Sequence, residues 1–261
     1  MLTQLYSLQF VSFLALALIV YFMVGRTRYR RFQWVVLLVG SLGFYLFSGW
    51  QNLFFIGITA LSVWLAGLRF DKLDQLEKTL KKDAADRAAK KEIKRRIKQR
   101  KWLFLLAVML LNFGILSYIK YWNVILGMFG AADGFLASQL LLPLGISFYT
   151  FQSIGYIIDC YFGKYPPERN FARFLLFVSY FPQLIQGPIN RFDALAVQLY
   201  EPHRLDLHNA RRAVLLIGYG VFKKYAIADV LVASVGNALD FIDASTPGSV
   251  IVYGIFLYAI Y

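Results

Sequence analysis

Long uncharged stretches alternate with charged segments along the first 162 residues of the chain. A helix that crosses a bilayer needs about 20 apolar residues. Residues 33–68 are 36 positions without a charge, which is enough for two spans joined by a turn near Trp50. The predicted spans are 5–24, 33–50, 52–68, 102–128 and 140–162.

The pattern changes after residue 170, where the apolar segments become short and broken. Pro182 and Pro188, with Gly187 between them, do not fit one regular helix. Broken backbone at membrane depth is tolerated only where protein or water covers it. We therefore expect re-entrant or interfacial helices that line a cavity, at 171–187, 213–222 and 225–242. The last apolar run, 249–261, is expected to be the first part of an incomplete span, with the chain truncated at its C-terminus.

The composition indicates a membrane protein. Hydrophobic residues make up 59% of the chain, charged residues 16%, and the mean hydropathy is +0.54. Soluble domains have about 45–50% apolar and about 25% charged residues. The fold class predicted is therefore an all-α polytopic membrane protein, in one membrane domain over 1–261. Cys160 is the only cysteine, so an internal disulfide is excluded, and no metal site is predicted. Packing in a buried position is the favoured role for this cysteine, with acylation as the alternative.

The net charge of +13 is concentrated in a few segments. Residues 69–101 hold fourteen of the 28 basic residues and six acidic ones. The loops without basic residues all fall on one side of the predicted membrane. The positive-inside rule therefore predicts an external N-terminus and cytoplasmic loops at 26–32 and 69–101. We expect the basic loop to contact membrane lipids and not nucleic acid, because nothing near it supplies base-reading or stacking chemistry.

A line of polar side chains runs along the predicted span 140–162. The spacings of 3 and 4 residues place its members on one helical face. Either this face lines a water-filled cavity, or it bonds one helix to another; the sequence leaves both alternatives open. The line comprises Tyr149, Gln152, Tyr156, Asp159 and Gly163, flanked by Ser147 and Thr150.

Two stretches of the second half carry a family resemblance. "LLPLGISFYTFQSIGYIIDCYFGK" and "NFARFLLFVSYFPQLIQGPINRF" resemble the membrane-bound O-acyltransferase family. "GISFYTFQ" and "FPQLIQGPI" are more similar to its alginate O-acetyltransferase branch than to the D-alanyl-transfer proteins of teichoic acids. The resemblance implies a ring of transmembrane helices around a funnel, with short broken helices at its centre. It also implies location in the bacterial cytoplasmic membrane.

The resemblance implies acyl transfer as well. The acyl group, expected to be acetyl, passes from a cytosolic donor to a hydroxyl of a cell-envelope polysaccharide. The donor is a co-substrate such as acetyl-CoA or an acyl-carrier thioester, and no bound cofactor is expected. An extracytoplasmic acyltransferase or a carrier protein is an expected partner. The alternatives are a D-alanyl-transfer protein, a transporter or flippase, and a non-catalytic membrane scaffold.

The family's chemistry requires a histidine as general base. His203 and His208 lie in the charged stretch "EPHRLDLHNARR", and neither is favoured as that base. The catalytic histidine is expected beyond Tyr261, so no catalytic residue is assigned in this chain. The candidates for lining the substrate tunnel are Ser147, Tyr149, Thr150, Gln152, Asp159, Gln186, Asn190 and Arg191.

Overall fold

The structure, a computed structural model, describes residues 8–83, 86–128, 143–231 and 246–260. All the regular structure in these ranges is helical, in agreement with the predicted fold class. The ring and the funnel stay a prediction. The helices are α1 Leu8–Gly25, α2 Gln33–Phe47, α3 Trp50–Asp83, α4 Arg87–Met128, α5 Ile146–Tyr161, α6 Phe171–Ser179, α7 Phe181–Gln186, α8 Phe192–Tyr200, α9 Leu207–Phe222 and α10 Gly248–Ile260.

Three of the described helices are long and apolar enough to cross a membrane, namely Leu8–Gly25, the helix Trp50–Asp83 and the part Arg87–Tyr121 of α4. The chain is a membrane protein by this criterion. Helices α2 and α5 have 15 and 16 residues, fewer than the about 20 that a perpendicular span requires.

The basic segment 69–101, predicted as a cytoplasmic loop between spans, is helical on both sides of residues 84–85. Helix α3 continues through it to Asp83, and α4 begins at Arg87. Pairs four residues apart stabilise such a solvated helix. Lys81 bonds Glu77 at 2.5 Å, and Arg96 bonds Glu92 at 2.8 Å.

Helices α3 and α4 form an antiparallel pair. Lys101 bonds Asp74 at 2.5 Å, and further along α4 Asn112 Nδ2 donates to Ser62 Oγ at 3.0 Å. The residue number falls on α3 as it rises on α4, as an antiparallel pair requires. Charged groups therefore tie the basic end of this pair, and a buried amide ties its apolar part.

Helices α5, α6 and α8 pack around an aromatic core. The ring centroid of Tyr156 lies 4.6 Å from that of Phe174 and 4.8 Å from that of Phe192. Aromatic pairs in this distance range add about 0.5–1.5 kcal/mol beyond the area they bury. This core fixes the short helices against α5.

The chain divides into two compact units, residues 1–204 and 205–261. In the second unit Asp206 caps α9, since its carboxylate accepts a hydrogen bond from the His208 backbone N–H at 3.0 Å. A π-helical stretch, Lys223–Ala228, follows α9 directly.

Some predicted segments lie partly outside the described residues. These are the start of the span at 5–24, residues 140–142 of the fifth span, residues 232–242 of the segment 225–242, and Tyr261 at the end of the segment 249–261.

Candidate functional site

The polar face of α5 is buried inside the first unit. Tyr149, Thr150, Gln152 and Tyr156 are each at most 3% exposed. Helix α5 starts after Gly145, whose φ of +72° is a left-handed conformation that glycine adopts without strain. This face therefore points into protein and not towards lipid.

Two members of the face bond neighbouring segments. Gln152 Nε2 donates to the Phe177 carbonyl oxygen at 3.1 Å, which ties α5 to the end of α6. Tyr156 Oη accepts the Glu168 backbone N–H at 2.8 Å, which fixes the connection between α5 and α6. Gln152 thus makes an interhelical bond, which was one alternative for this face, and Tyr156 bonds the connection between the helices.

Other buried hydroxyls of the same region are not satisfied in this way. The hydroxyls of Tyr45, Tyr149 and Ser153 have no hydrogen-bond partner among the described residues. A buried polar group without a partner costs about 1–3 kcal/mol. Ser179 Oγ and Gln183 Oε1, at the α6–α7 junction, share this state. These atoms are donors and acceptors available to a water or to a substrate hydroxyl.

The break between α6 and α7 is held by polar contacts. The Phe181 backbone N–H donates to Ser41 Oγ of α2 at 3.4 Å. Gln183 Nε2 donates to the Pro188 carbonyl oxygen at 3.1 Å. A Cβ at Gly187 would lie 2.7 Å from the Gln183 carbonyl oxygen, so only glycine fits this turn. The proline-rich stretch is thus a compact turn after a short helix.

The remaining tunnel candidates are less enclosed. Ser147 and Asn190 are half-buried, and Arg191 is exposed just before α8. Gln186 ends α7, and its side chain lies outside the described side chains. The structure therefore brings together the members on α5 and leaves Arg191 at the surface.

Charged groups gather at the C-terminal end of α5. The Asp159 carboxylate accepts hydrogen bonds from Tyr165 Oη and Lys164 Nζ, both at 3.3 Å. Lys164 also bonds Asp193 of α8 at 3.2 Å and lowers the pKa of that carboxyl. Burial raises the pKa of the Tyr165 hydroxyl, so it stays protonated and donates. Asp159 is thus an anchor of a surface ion network.

His203 is held by hydrogen bonds to α1 and α2. The Gln33 side chain accepts the His203 backbone N–H at 2.9 Å and donates to the His203 carbonyl oxygen at 3.0 Å. The Tyr21 hydroxyl lies 3.0 Å from His203 Nδ1. We name these contacts the Gln33 clasp. It joins the segment before residue 204 to the α1–α2 turn, and sequence reasoning missed it. The sequence does contain one indication of this contact. Gln33 is a polar residue at the start of an apolar run, just after the arginine-rich segment 26–31.

Among the residues that the structure describes, no cluster of His, Cys, Asp and Glu has the composition of a metal site.

Long apolar helices and short broken helices around a buried polar face define an all-α polytopic membrane protein. Comparison with curated proteins refines this class. The chain is 35% identical over 230 residues to the protein named "Probable alginate O-acetylase AlgI" of Pseudomonas syringae pv. tomato, a match that covers 84% of this chain and 38% of the relative. It is 33% identical over 246 residues to the protein of the same name of Azotobacter vinelandii, covering 90% of this chain and 43% of the relative.

A third relative is the "Peptidoglycan O-acetyltransferase" of Helicobacter pylori, 31% identical over 157 residues, covering 49% of this chain and 30% of the relative. The resemblance to the membrane-bound O-acyltransferase family, in its alginate O-acetyltransferase branch, is confirmed as a match to the N-terminal part of these proteins. The chain spans about two fifths of the length of the alginate O-acetylases it matches. No family model and no solved structure matches the chain.

Proposed function

We propose that this chain is part of an O-acyltransferase that moves an acetyl group to a hydroxyl of a cell-envelope polysaccharide. The observation that carries the proposal is the 33–35% identity, over 84–90% of the chain, to relatives named alginate O-acetylase. The peptidoglycan relative supports a polysaccharide acceptor more broadly. The relatives are named for acetyl transfer, which favours acetyl over the D-alanyl alternative.

The proposed donor is a cytosolic thioester such as acetyl-CoA or an acyl-carrier thioester. In the reaction the acceptor oxygen forms a C–O bond with the acetyl carbon, and the C–S bond breaks. A base takes the hydroxyl proton, and the thiolate leaves and is protonated. We assign the base to neither histidine of the chain, because His203 is held in the Gln33 clasp and His208 is exposed in the first turn of α9.

The buried hydroxyls near α5 are the proposed contribution of this part of the enzyme. Tyr149 and Ser153 have unsatisfied hydroxyls within a region that Gln152 and Tyr156 hold rigid. We propose that these hydroxyls bind the acceptor hydroxyl, or a water that occupies the same position in the tunnel before the acceptor binds. Tyr149, Thr150, Gln152 and Ser147 line this path in the proposal. Asp159, Gln186, Asn190 and Arg191 lie towards its cytosolic mouth.

The proposal includes an orientation in the bacterial cytoplasmic membrane. The basic ends of α3 and α4 face the cytosol, where the thioester is made, and the N-terminus lies outside. The extracytoplasmic end of the path would then deliver the acetyl group to the polysaccharide directly, or to a partner acyltransferase.

Removal of one hydroxyl tests the proposed path. Cells that lack the gene are complemented with the wild-type gene, with Tyr149→Phe, or with Tyr29→Phe as the exposed control. Ester-linked acetate released by mild alkali from the envelope polysaccharide is then measured. We expect ester-linked acetate to fall by about 3- to 10-fold for Tyr149→Phe, because the variant loses the free energy of one hydrogen bond to the reacting group. We expect no fall for Tyr29→Phe. Equal acetate in both variants at equal protein level would refute the role of Tyr149.

A further inference from the structure

Three lysines of α4 line a cavity at the end of α5. The cavity has a volume of about 240 Å³. An adjoining cavity of about 500 Å³ shares Lys98 and Tyr161 with it, and Trp102 lines this second cavity. The smaller cavity is lined by Glu77, Lys94, Lys98, Lys101, Tyr161 and Phe162.

The acidic groups near the smaller cavity already have partners. Glu77 bonds Lys81 at 2.5 Å, and Asp74 bonds Lys101 at 2.5 Å. Lys94 and Lys98 have no ion pair with a carboxylate among the described residues. They are four residues apart on one helix, a spacing at which like charges destabilise the helix. An anion bound between them removes this repulsion.

The cavity lies where α4 changes from charged to apolar. Lys101 is followed at once by Trp102 and Leu103, which are 50% and 60% exposed. Phe162, at the other wall, is 78% exposed. Aromatic side chains prefer the level of the lipid headgroups, and long lysines there extend towards the polar side. The residues around the cavity are therefore of the kinds that proteins place at headgroup depth.

We infer that this cavity binds the phosphate of an anionic phospholipid. Lys94 and Lys98 bind the headgroup phosphate, and Trp102 and Phe162 contact the glycerol and the upper acyl chains. Basic pockets beside membrane helices bind anionic headgroups by the same chemistry. The inference does not depend on acyl transfer.

Lipid retention by the purified 261-residue chain tests the inference. The chain is incubated in detergent with equal amounts of phosphatidylglycerol and phosphatidylcholine, and the retained lipid is counted by native mass spectrometry. The cavity variant is Lys94→Ala/Lys98→Ala. The control is Lys78→Ala/Lys82→Ala, which removes the same charge from α3 without touching the cavities. We expect the cavity variant to lose about 10-fold or more in phosphatidylglycerol retention, and the control to retain it.

Three other results would overturn the assignment of a lipid site. Equal loss in both double variants would overturn the inference, because it would mean diffuse attraction to the whole basic segment. Displacement of the lipid by millimolar inorganic phosphate would overturn the assignment to a lipid and indicate a site for soluble phosphates. Lys94→Arg/Lys98→Arg keeps both positive charges, so it separates the loss of charge from a general effect of substitution at these positions. Loss of phosphatidylglycerol retention in this variant as well would contradict a phosphate site.

Discussion

The Gln33 clasp is the contact whose loss we expect to weaken the first unit most clearly. Gln33 is 1% exposed. Its Nε2 donates to the carbonyl oxygens of Tyr21 and His203, at 3.1 and 3.0 Å, and its Oε1 accepts the His203 N–H at 2.9 Å. Gln33→Leu removes all three bonds while it keeps most of the side-chain volume. Any loss of stability therefore reports on hydrogen bonding and not on a cavity.

The magnitude follows from these three bonds. Each net hydrogen bond contributes about 0.5–1.5 kcal/mol, and a polar group that stays buried without a partner costs about 1–3 kcal/mol. The two bonds to the His203 backbone are part-buried, so water replaces them in part. The bond to Tyr21 is buried, and the Tyr21 carbonyl lies four residues before the end of α1. We therefore expect a loss of about 2 kcal/mol, or a fall in Tm of about 4–8 °C for a chain of this size.

Thermal unfolding of the detergent-solubilised chain measures this fall, at one heating rate for all variants. Gln198→Leu is the matched control, because Gln198 is an exposed glutamine on α8 and the substitution is the same. The wild type and Gln198→Leu are expected to melt together, with Gln33→Leu several degrees lower. If Gln33→Leu melted within about 1 °C of Gln198→Leu, the clasp would contribute nothing to stability.

Two further predictions concern the surroundings of α5. Gly67→Ala would place a Cβ 3.2 Å from Pro167 Cβ, so Pro167 has to shift by a few tenths of an ångström. Gly57→Ala has open space around it, and both substitutions gain the same helix propensity. We therefore expect Gly67→Ala to have the lower free energy of unfolding of the two in the same denaturation assay. Equal effects of the two alanines would contradict the close approach of α3 to residue 167. Lys164 lowers the pKa of the Asp193 carboxyl below its ordinary value of 3.8, so this carboxylate stabilises the folded state above the unfolded-state pKa and loses that contribution as the pH falls through the lowered pKa. The difference in Tm between wild type and Asp193→Asn is expected to be largest near neutral pH and to shrink as the pH falls through the lowered pKa; a difference that does not change with pH would refute this coupling.

Hydrophobic patterning predicts much of the helical structure, because bilayer thickness ties the length of an apolar run to one kind of element. The uncharged run 33–68 contains α2 and the first part of α3, and the break at Gly49 lies within the predicted turn. The spacing of polar residues also predicted a shared face on α5. Tyr149, Gln152 and Tyr156 are buried on this face, whereas Asp159 is half-buried and Gly163 lies beyond the end of the helix with a φ of +73°. Periodicity is a local property, and these features depend on local sequence.

Contacts between residues far apart in the chain could not be predicted from the sequence. The partners of the Gln33 clasp are 170 residues apart, so no periodicity indicates them. The sequence could not decide whether the α5 face lines a cavity or bonds another helix. The two alternatives differ only in the contacts that Gln152 and Tyr149 make with distant segments of the chain. Gln152 meets the Phe177 carbonyl oxygen, whereas the Tyr149 hydroxyl meets no partner among the described residues.

The central claim is that this chain belongs to an enzyme that transfers acetyl from a cytosolic thioester to an envelope polysaccharide. The most direct test supplies acetyl-labelled CoA to the cytosolic face of inverted membrane vesicles, prepared from cells with and without the gene. The account predicts alkali-labile label in polysaccharide, and release of an equal amount of free thiol, only where the gene is present. Equal labelling without the gene, or transport of polysaccharide with no thioester consumed, would contradict it.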